Sequence, residues 1–132
     1  MPSYLVSIAI ETQDTRSDLY LALERELLAR GVAIDPLATS RLAISDEATG
    51  QRVLSVSVRN IPREYEVFYT LSYRFTHNGE ELLSRPGLTL TRDYTWSEFE
   101  VLGKVQEEQL LRDLIVDDLV DVILRQLASL ES

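Results

Sequence analysis

The sequence predicts an α+β fold in which two helices lie on one face of a mainly antiparallel four-stranded sheet. Two observations favour this two-layer sandwich: the middle of the chain alternates apolar and polar residues with period two, and segments of helical periodicity lie before and after it. The 132 residues suffice for a single domain, 1–132. Such a sheet leaves its other face open.

The first third of the chain predicts a strand followed by a helix. Residues 4–10 (YLVSIAI) form a short, β-branched run bounded by polar residues, which is typical of a strand. Ser17 is a suitable N-cap for a helix that reaches Arg30, and Gly31 follows where a left-handed C-cap is expected.

The middle of the chain predicts strands, of which residues 65–75 are the clearest. Aromatic and aliphatic side chains occupy alternate positions there, so we interpret this row as core. Asn78-Gly79 predicts a tight hairpin turn into a last strand that ends near Arg92. Residues 48–50 predict a turn or a bulge, and Pro86-Gly87 predicts an edge or a bulge because proline cannot donate to a ladder.

The C-terminal segment predicts a long helix. Ser97 and Glu100 form a capping box, and the helical pattern continues to about Leu130. Its apolar arc of roughly 160° is wider than packing on one surface requires, so we expect it to contact the sheet and also the first helix or a partner. A narrow acidic stripe is interpreted as solvated and relieved by Arg125; it contains Asp117, Asp118 and Asp121.

Charge argues against nucleic acid as a partner, since 13 basic residues face 22 acidic ones for a net charge of -9. The excess acid is uneven: residues 40–96 carry seven residues of each sign, whereas residues 97–132 carry nine acidic and three basic ones. The middle segment could therefore accept an anionic ligand. The absence of cysteine excludes disulfides and thiolate sites.

Nothing in the sequence indicates an enzyme. His77 is the only histidine, and its place beside Asn78-Gly79 predicts a solvated position at a hairpin tip. No nucleophile elbow, zinc motif or Walker loop is present, so no cofactor and no metal are expected. Trp96 is interpreted as packed near the strand-to-helix junction. We interpret the chain as a binding or structural protein, with a His77-dependent hydrolase as the remaining enzymatic alternative.

Several short motifs together resemble the LptE family of lipopolysaccharide-assembly lipoproteins. In order, they are Arg59-Asn60, Glu64-Tyr65, Arg92-Asp93-Tyr94, Leu102-Gly103-Lys104 and residues 123–127 (ILRQL). The set recurs in that order in the family, and the resemblance covers nearly the whole chain. One departure is the loop before Glu64, which is about one residue shorter and contains Ile61-Pro62.

The resemblance implies a non-enzymatic subunit that plugs the LptD β-barrel, assists its assembly and binds lipopolysaccharide. It also implies a place on the periplasmic side of the Gram-negative outer membrane, held there by an N-terminal lipidated cysteine. The signal peptide, that cysteine and the first mature residues are not in this sequence. Met1 is therefore interpreted as a trimmed start.

The resemblance places basic residues for lipopolysaccharide at Arg59 and Lys104. We add Arg92, which is close to Lys104 in sequence across a strand-to-helix turn. Lipid A phosphates are expected to meet these residues at one end of the sheet while the acidic helix stays away. The alternative is a soluble periplasmic α+β adaptor that binds peptides or proteins at an exposed sheet edge, for which Pro86-Gly87 is the motivation.

Overall fold

The computed structural model describes residues 6–56, 62–95 and 104–130. The elements in chain order are β1 (Ser7–Glu11), α1 (Asp18–Ala29), β2 (Ala33–Ile34), β3 (Ser40–Val56), β4 (Pro62–His77), β5 (Glu80–Thr95) and α2 (Lys104–Ala128). The predicted α+β fold is confirmed. The sheet has five strands where four were predicted, because β2 is only two residues long and too short to show an alternating pattern.

The strand order is β2-β1-β3-β4-β5. β3, β4 and β5 form an antiparallel meander of long strands, whereas β1 pairs in parallel with both β2 and β3. Helix α1 connects β1 to β2 and so makes one crossover between parallel strands. The sheet is therefore mainly antiparallel, with a small parallel unit at the N-terminal side.

One face of the sheet carries the core, and we call it the helix face. It bears the alternate residues of β4, and its predicted aromatic row is buried: Tyr65, Tyr69, Tyr73 and Phe75. We call the opposite side the open face. Helix α2 packs on β4 and β5 and also against α1, which confirms the expectation from its wide apolar arc.

Both ends of α1 are fixed by the residues that the sequence predicted. The Ser17 side chain accepts a hydrogen bond from the backbone N–H of Tyr20 at 3.1 Å. At the other end, Gly31 has φ +81°, and the N–H of Val32 donates to the carbonyl of Leu27 at 2.9 Å. These bonds satisfy backbone N–H and C=O groups at the two ends of the helix. The side chains of Leu27 and Val32 are buried beside the second bond.

A two-residue turn joins β4 to β5, as predicted. Asn78 and Gly79 have φ values of +52° and +80°. Positive φ at both central residues is the signature of the type I′ turn, whose twist matches that of paired strands. The turn therefore sets the register of the hairpin.

Among the register shifts between the long strands, two lie beside residues with positive φ. The register between β3 and β4 shifts between Ser45 and Ala48, where Asp46 has φ +53°. The bulge predicted at residues 48–50 thus lies slightly earlier, and β3 runs on without a turn. In β5, Gly87 has φ +66° beside the second shift, and β5 is the last strand of the sheet, so the prediction for Pro86-Gly87 is confirmed. Each bulge inserts one residue, so the side chains beyond it change face.

The segment predicted to begin α2 lies only partly within the described residues. Its predicted capping residues Ser97 and Glu100, and the packing predicted for Trp96, lie outside the described residues. The helix ends at Ala128, close to the predicted Leu130. Neither helix of the described ranges has the length and apolar character needed to cross a membrane.

Candidate functional site

Three strands end together at one end of the sheet. Val56 pairs with Pro62 there, and Glu64 pairs with Thr95. Helix α2 runs back from this end, since its residue Asp118 reaches β5 and its residue Gln126, two turns later, reaches Tyr73 on β4. We define the distal end as residues 49–56, 62–68, 91–95 and 104–114.

Two of the three predicted site residues, Arg92 and Lys104, belong to the distal end. Arg59 falls between Val56 and Pro62 in sequence and lies outside the described residues. Lys104 is the first residue of α2. Arg92 lies on β5, and its side-chain contacts are described. A shared binding site for all three residues stays a prediction.

Arg92 lies on the helix face, because it pairs in register with the buried Val67. Its Nη2 atom is 2.7 Å from Oδ2 of Asp118 on α2, and both side chains are about half exposed. The expectation that the acidic helix stays away is therefore wrong for this residue. Two one-residue shifts in β5, between Glu81 and Leu83 and at Pro86-Gly87, cancel each other, so Arg92 keeps the helix-face position that an uninterrupted hairpin would give it.

Arg52 is a basic residue of the distal end that the sequence analysis missed. The bulge beside Asp46 places it on the open face, opposite Glu66. Its guanidinium carbon lies 4.5 Å from the centre of the Phe68 ring, and its Nε is 3.5 Å from Oε1 of Glu66. Gly50 makes room for that ring, since a Cβ there would lie 3.2 Å from Cζ of Phe68. Only the bulged register brings these residues together.

A third arginine connects the helix layer to the sheet at the distal end. Nε of Arg112 donates to Oγ1 of Thr49 at 3.2 Å, and that hydroxyl donates to the backbone carbonyl of Phe68 at 2.8 Å. The chain of bonds runs from α2 through β3 to β4. It ties Arg112 of α2 to this part of the sheet.

Large aliphatic side chains are exposed in the same region. They are Val53 (50% exposed), Leu54 (47%), Leu110 (59%) and Leu114 (38%). Helix α1 begins beside Glu47, whose Oε1 accepts a bond from the Ser17 hydroxyl at 3.2 Å, so α1 does not cover the strand residues beyond. The distal end therefore combines arginine side chains with uncovered aliphatic surface.

The other titratable candidates have partners within the fold. His77 is half-buried at the end of β4, and its Nδ1 is 2.8 Å from Oγ of the buried Ser40, so the solvated hairpin-tip prediction is wrong. Asp121 pairs with Arg125, whose hydrogen bond lowers the pKa of that carboxyl, as the relieved acidic stripe predicted. Within the described ranges, no group of three His, Cys, Asp or Glu residues could hold a metal ion.

The fold matches solved structures of bacterial lipoproteins. Rare lipoprotein B from Shewanella oneidensis is 23% identical with a TM-score of 0.83, covering 95% of this chain and 96% of the other. A minor lipoprotein from Acinetobacter baumannii is 21% identical with a TM-score of 0.76, covering 95% and 92%. Lipoprotein B from Nitrosomonas europaea is 23% identical with a TM-score of 0.76, covering 96% and 88%. At these identities the likeness is one of fold.

No curated protein matches the chain. The LptE family, described as lipopolysaccharide-assembly, matches residues 5–127, which is nearly all of the sequence. The resemblance carried by the short motifs is thereby confirmed, and with it the general role in lipopolysaccharide assembly in the Gram-negative envelope. This protein belongs to the LptE family of lipopolysaccharide-assembly lipoproteins.

Proposed function

We propose that this protein is a non-enzymatic subunit of the outer-membrane machinery that transports and assembles lipopolysaccharide. In this proposal it plugs and helps to assemble the LptD β-barrel, on the periplasmic side of the membrane, and binds lipopolysaccharide on its way to the outer leaflet. Family membership supports the general role. The observation that carries the finer proposal is the distal end, where arginines lie beside exposed aliphatic side chains.

Lipopolysaccharide is an amphiphile with phosphate groups next to acyl chains, and both parts find a counterpart at the distal end. Guanidinium groups bind phosphate oxygens in a bidentate manner, and Arg52 and Arg92 keep about half of their side-chain surface exposed. Val53 and Leu110, which also belong to the distal end, have exposed apolar side chains. A ligand with only one of the two characters would leave the other surface uncovered.

The charge distribution favours approach of an anion from the sheet side. Residues 40–96, which contain the meander, balance seven acidic and seven basic side chains, whereas residues 97–132 have a net charge of -6 from nine acidic and three basic ones. An anion is repelled by α2 and not by the meander. We propose Arg59 and Lys104 as its first contacts, because Arg59 lies in sequence between β3 and β4 and Lys104 begins α2, each next to segments of the distal end.

In the proposed site, Arg92 exchanges its ion pair with Asp118 for a contact with phosphate. Its ion pair with Asp118 is half exposed, and pairs of that kind contribute little stability. A phosphate dianion carries more charge than one carboxylate and accepts two parallel hydrogen bonds. In this proposal Asp118 holds Arg92 in place before the ligand arrives and releases it to phosphate.

Contact with a barrel partner is supported by the exposed aliphatic surface. Contiguous apolar surface on a folded protein commonly marks an interaction site. Leu54 and Leu114 belong to different layers of the fold, so the surface spans the sheet and α2. A barrel lumen that encloses the distal end would cover both layers at once.

The lipopolysaccharide site is tested with the double variant Arg59→Asp, Lys104→Asp. Lipopolysaccharide that remains bound after purification is expected to fall about tenfold or more, because two cations become anions. The matched control for each of the two substitutions is Arg74→Asp, which makes the same single charge reversal at a 61% exposed arginine near the other end of β4. Equal retention by the double variant and the control, with unchanged thermal unfolding, would reject the site.

The part of Arg92 in lipopolysaccharide binding is tested separately with Asp118→Asn. Loss of the carboxylate charge frees Arg92, so lipopolysaccharide retention is expected to rise severalfold. The added substitution Arg92→Ala is expected to abolish that rise. If Asp118→Asn changes nothing, Arg92 is not part of the site.

The barrel partner is tested by co-expression with LptD and purification in detergent. A one-to-one complex that survives size-exclusion chromatography is expected. Leu110→Asp combined with Val53→Asp is expected to weaken it, since both side chains are at least half exposed in the free protein and contribute little to its core. Failure to form any complex would contradict the plug proposal.

A further inference from the structure

The outer edge of β5 is a second candidate interaction surface, and it overlaps the distal end at residues 91–95. β5 is the last strand in the sheet order, and among residues 6–56, 62–95 and 104–130 none pairs with its outer side. An unpaired edge presents backbone N–H and C=O groups in a row that an added strand can bind. Such an edge is normally blunted by proline, glycine bulges or lysine.

A proline and a glycine bulge divide this edge into two parts. Pro86-Gly87 interrupts the strand, and the Gly87 N–H donates inward to Oγ of Ser72 at 3.0 Å. The run of residues 88–95 (LTLTRDYT) beyond the bulge contains no proline, glycine or lysine. It is as long as a typical strand of a sheet.

Apolar surface beside this run is left partly uncovered. The leucines concerned are half-buried members of the core rim: Leu83, Leu88 and Leu90 on β5 and Leu111 on α2. The three on β5 lie on the helix face, because they pair with Phe75, Leu71 and Tyr69. Leu111 precedes Asp118 by seven residues, so both lie on the flank of α2 that faces β5.

A charged group lies at the start of the same row. Arg85 pairs in register with Tyr73, so it lies on the helix face, and it is exposed. No ion pair joins it to another of the described residues, in contrast to Arg74 and Arg92 on the same sheet. A carboxylate on a bound segment would therefore meet an uncompensated cation at this point.

We propose that the β5 edge at residues 88–95 accepts an extended segment of another protein as a sixth, antiparallel strand. The segment has apolar residues at alternate positions, to cover Leu88 and Leu90, and an acidic residue near its C-terminal end, opposite Arg85. A second copy of this chain fits less well, because each copy brings a net charge of -9. This inference does not rest on the proposed function.

The test uses the whole chain, labelled with ¹⁵N, and a synthetic heptapeptide of alternating valine and threonine that ends in glutamate. Saturating peptide is expected to shift the amide signals of residues 88–95 and to slow exchange of the outward amides about tenfold. The control peptide has proline at its centre and the same composition otherwise, so it cannot complete the ladder. Absence of shifts at β5, or equal shifts with both peptides, would overturn the proposal.

Reversal of the charge at Arg85 tests whether the bound segment carries an acidic residue. Arg85→Glu is expected to weaken the glutamate peptide about fivefold, as an exposed ion pair is lost, and a lysine-ended peptide is expected to recover it. The variant changes an exposed side chain, so folding is retained. Concentration-dependent shifts at residues 88–95 without any peptide would make a second copy the occupant and overturn the assignment to another protein.

Discussion

Glu47 accepts hydrogen bonds from two layers of the fold. The Tyr69 hydroxyl on β4 donates to one carboxylate oxygen, and the Ser17 hydroxyl at the start of α1 donates to the other. The adjacent Asp46 adopts φ +53°, which lets the bulge turn Glu47 toward both donors. Burial raises the pKa of Tyr69, and the neighbouring carboxylate raises it further. One bulged residue thus ties the first helix to the sheet.

Removal of the Ser17 hydroxyl is expected to loosen this tie. Ser17→Ala loses the cap on the Tyr20 N–H and the bond to Glu47, so we expect a loss of about 1–2 kcal/mol in the free energy of unfolding. Ser17→Thr retains both bonds and is the control, with a loss well below that of alanine. Urea titration of the two variants measures the difference; equal stabilities would show that the hydroxyl contributes nothing.

Alkaline pH is expected to destabilise the fold through the buried tyrosines. Burial raises the pKa of Tyr73 to about 12, against 10.0 when exposed, although the nearby Arg85 opposes the shift. Between these values the unfolded chain loses a proton that the folded chain keeps, so stability falls as the pH rises from 10 toward 12.

The comparison variant for this pH effect is Tyr73→Phe, which cannot ionise. Its free energy of unfolding is expected to fall less steeply than that of the unchanged protein above pH 10, although it loses the bond to Gln126 at every pH. Denaturant unfolding at pH 8 and pH 11.5 measures both slopes. Parallel slopes would remove Tyr73 as the source.

At the residue scale, the sequence predicts which side chains of β4 are buried. It does not predict which face of the sheet a side chain beyond a bulge lies on. The alternation in β4 is unbroken from Tyr65 to Tyr73, so the buried row follows directly from period two. Arg52 lies beyond the inserted residue beside Asp46, which reverses the face that simple alternation assigns, whereas the two shifts in β5 cancel and leave Arg92 on the helix face. An insertion of one residue has a weak sequence signal, because Asp46 resembles any polar strand residue.

Elements with local signals are those that the sequence predicts well. Helix α1 has an N-cap, an apolar stripe and a C-cap glycine within one segment, and its observed bounds agree with them. β2 has no such signal, because its two residues form a strand only through pairing with β1. The parallel placement of β1 beside β3 likewise depends on contacts far apart in sequence.

The hairpin between β4 and β5 is expected to depend on Gly79. Gly79→Ala places a Cβ at φ +80°, at a cost of about 1–2 kcal/mol, and no atom lies within 4 Å of that Cβ to add a clash. Gly79→Asn is the control, since asparagine tolerates the left-handed region better. Thermal unfolding should rank glycine above asparagine and asparagine above alanine. An alanine variant as stable as the parent would contradict a type I′ turn.

At the scale of the whole molecule, the meander and the N-terminal unit are unequally joined. β3, β4 and β5 share long antiparallel ladders, whereas β1 joins β3 only over Ala9, Ile10 and Glu11. Short ladders open more readily than long ones. The amides of β1 and β2 are therefore expected to exchange with solvent about tenfold faster than those of central β4, as measured by native-state hydrogen exchange. Uniform protection would show that the sheet opens as one unit.

The family and the general role follow from the order of motifs along the whole chain, which the match over residues 5–127 confirms. The candidate site is less accessible from sequence. Its exposed aliphatic surface arises because α1 begins beside Glu47 and leaves the sheet beyond uncovered, and that arrangement depends on a tertiary contact. Sequence inspection therefore found Arg92 as a candidate but missed Arg52 and the apolar half of the surface.

The bulge at Pro86-Gly87 also limits how this protein can aggregate. A sixteen-residue edge strand without interruption would template the stacking of many chains into fibres. The inserted residue and the missing N–H of Pro86 break that template, so no continuous cross-β ladder can extend along β5. Folding intermediates that expose this edge are thereby protected at high concentration. Restoration of a regular strand by deletion of Pro86 would remove the safeguard.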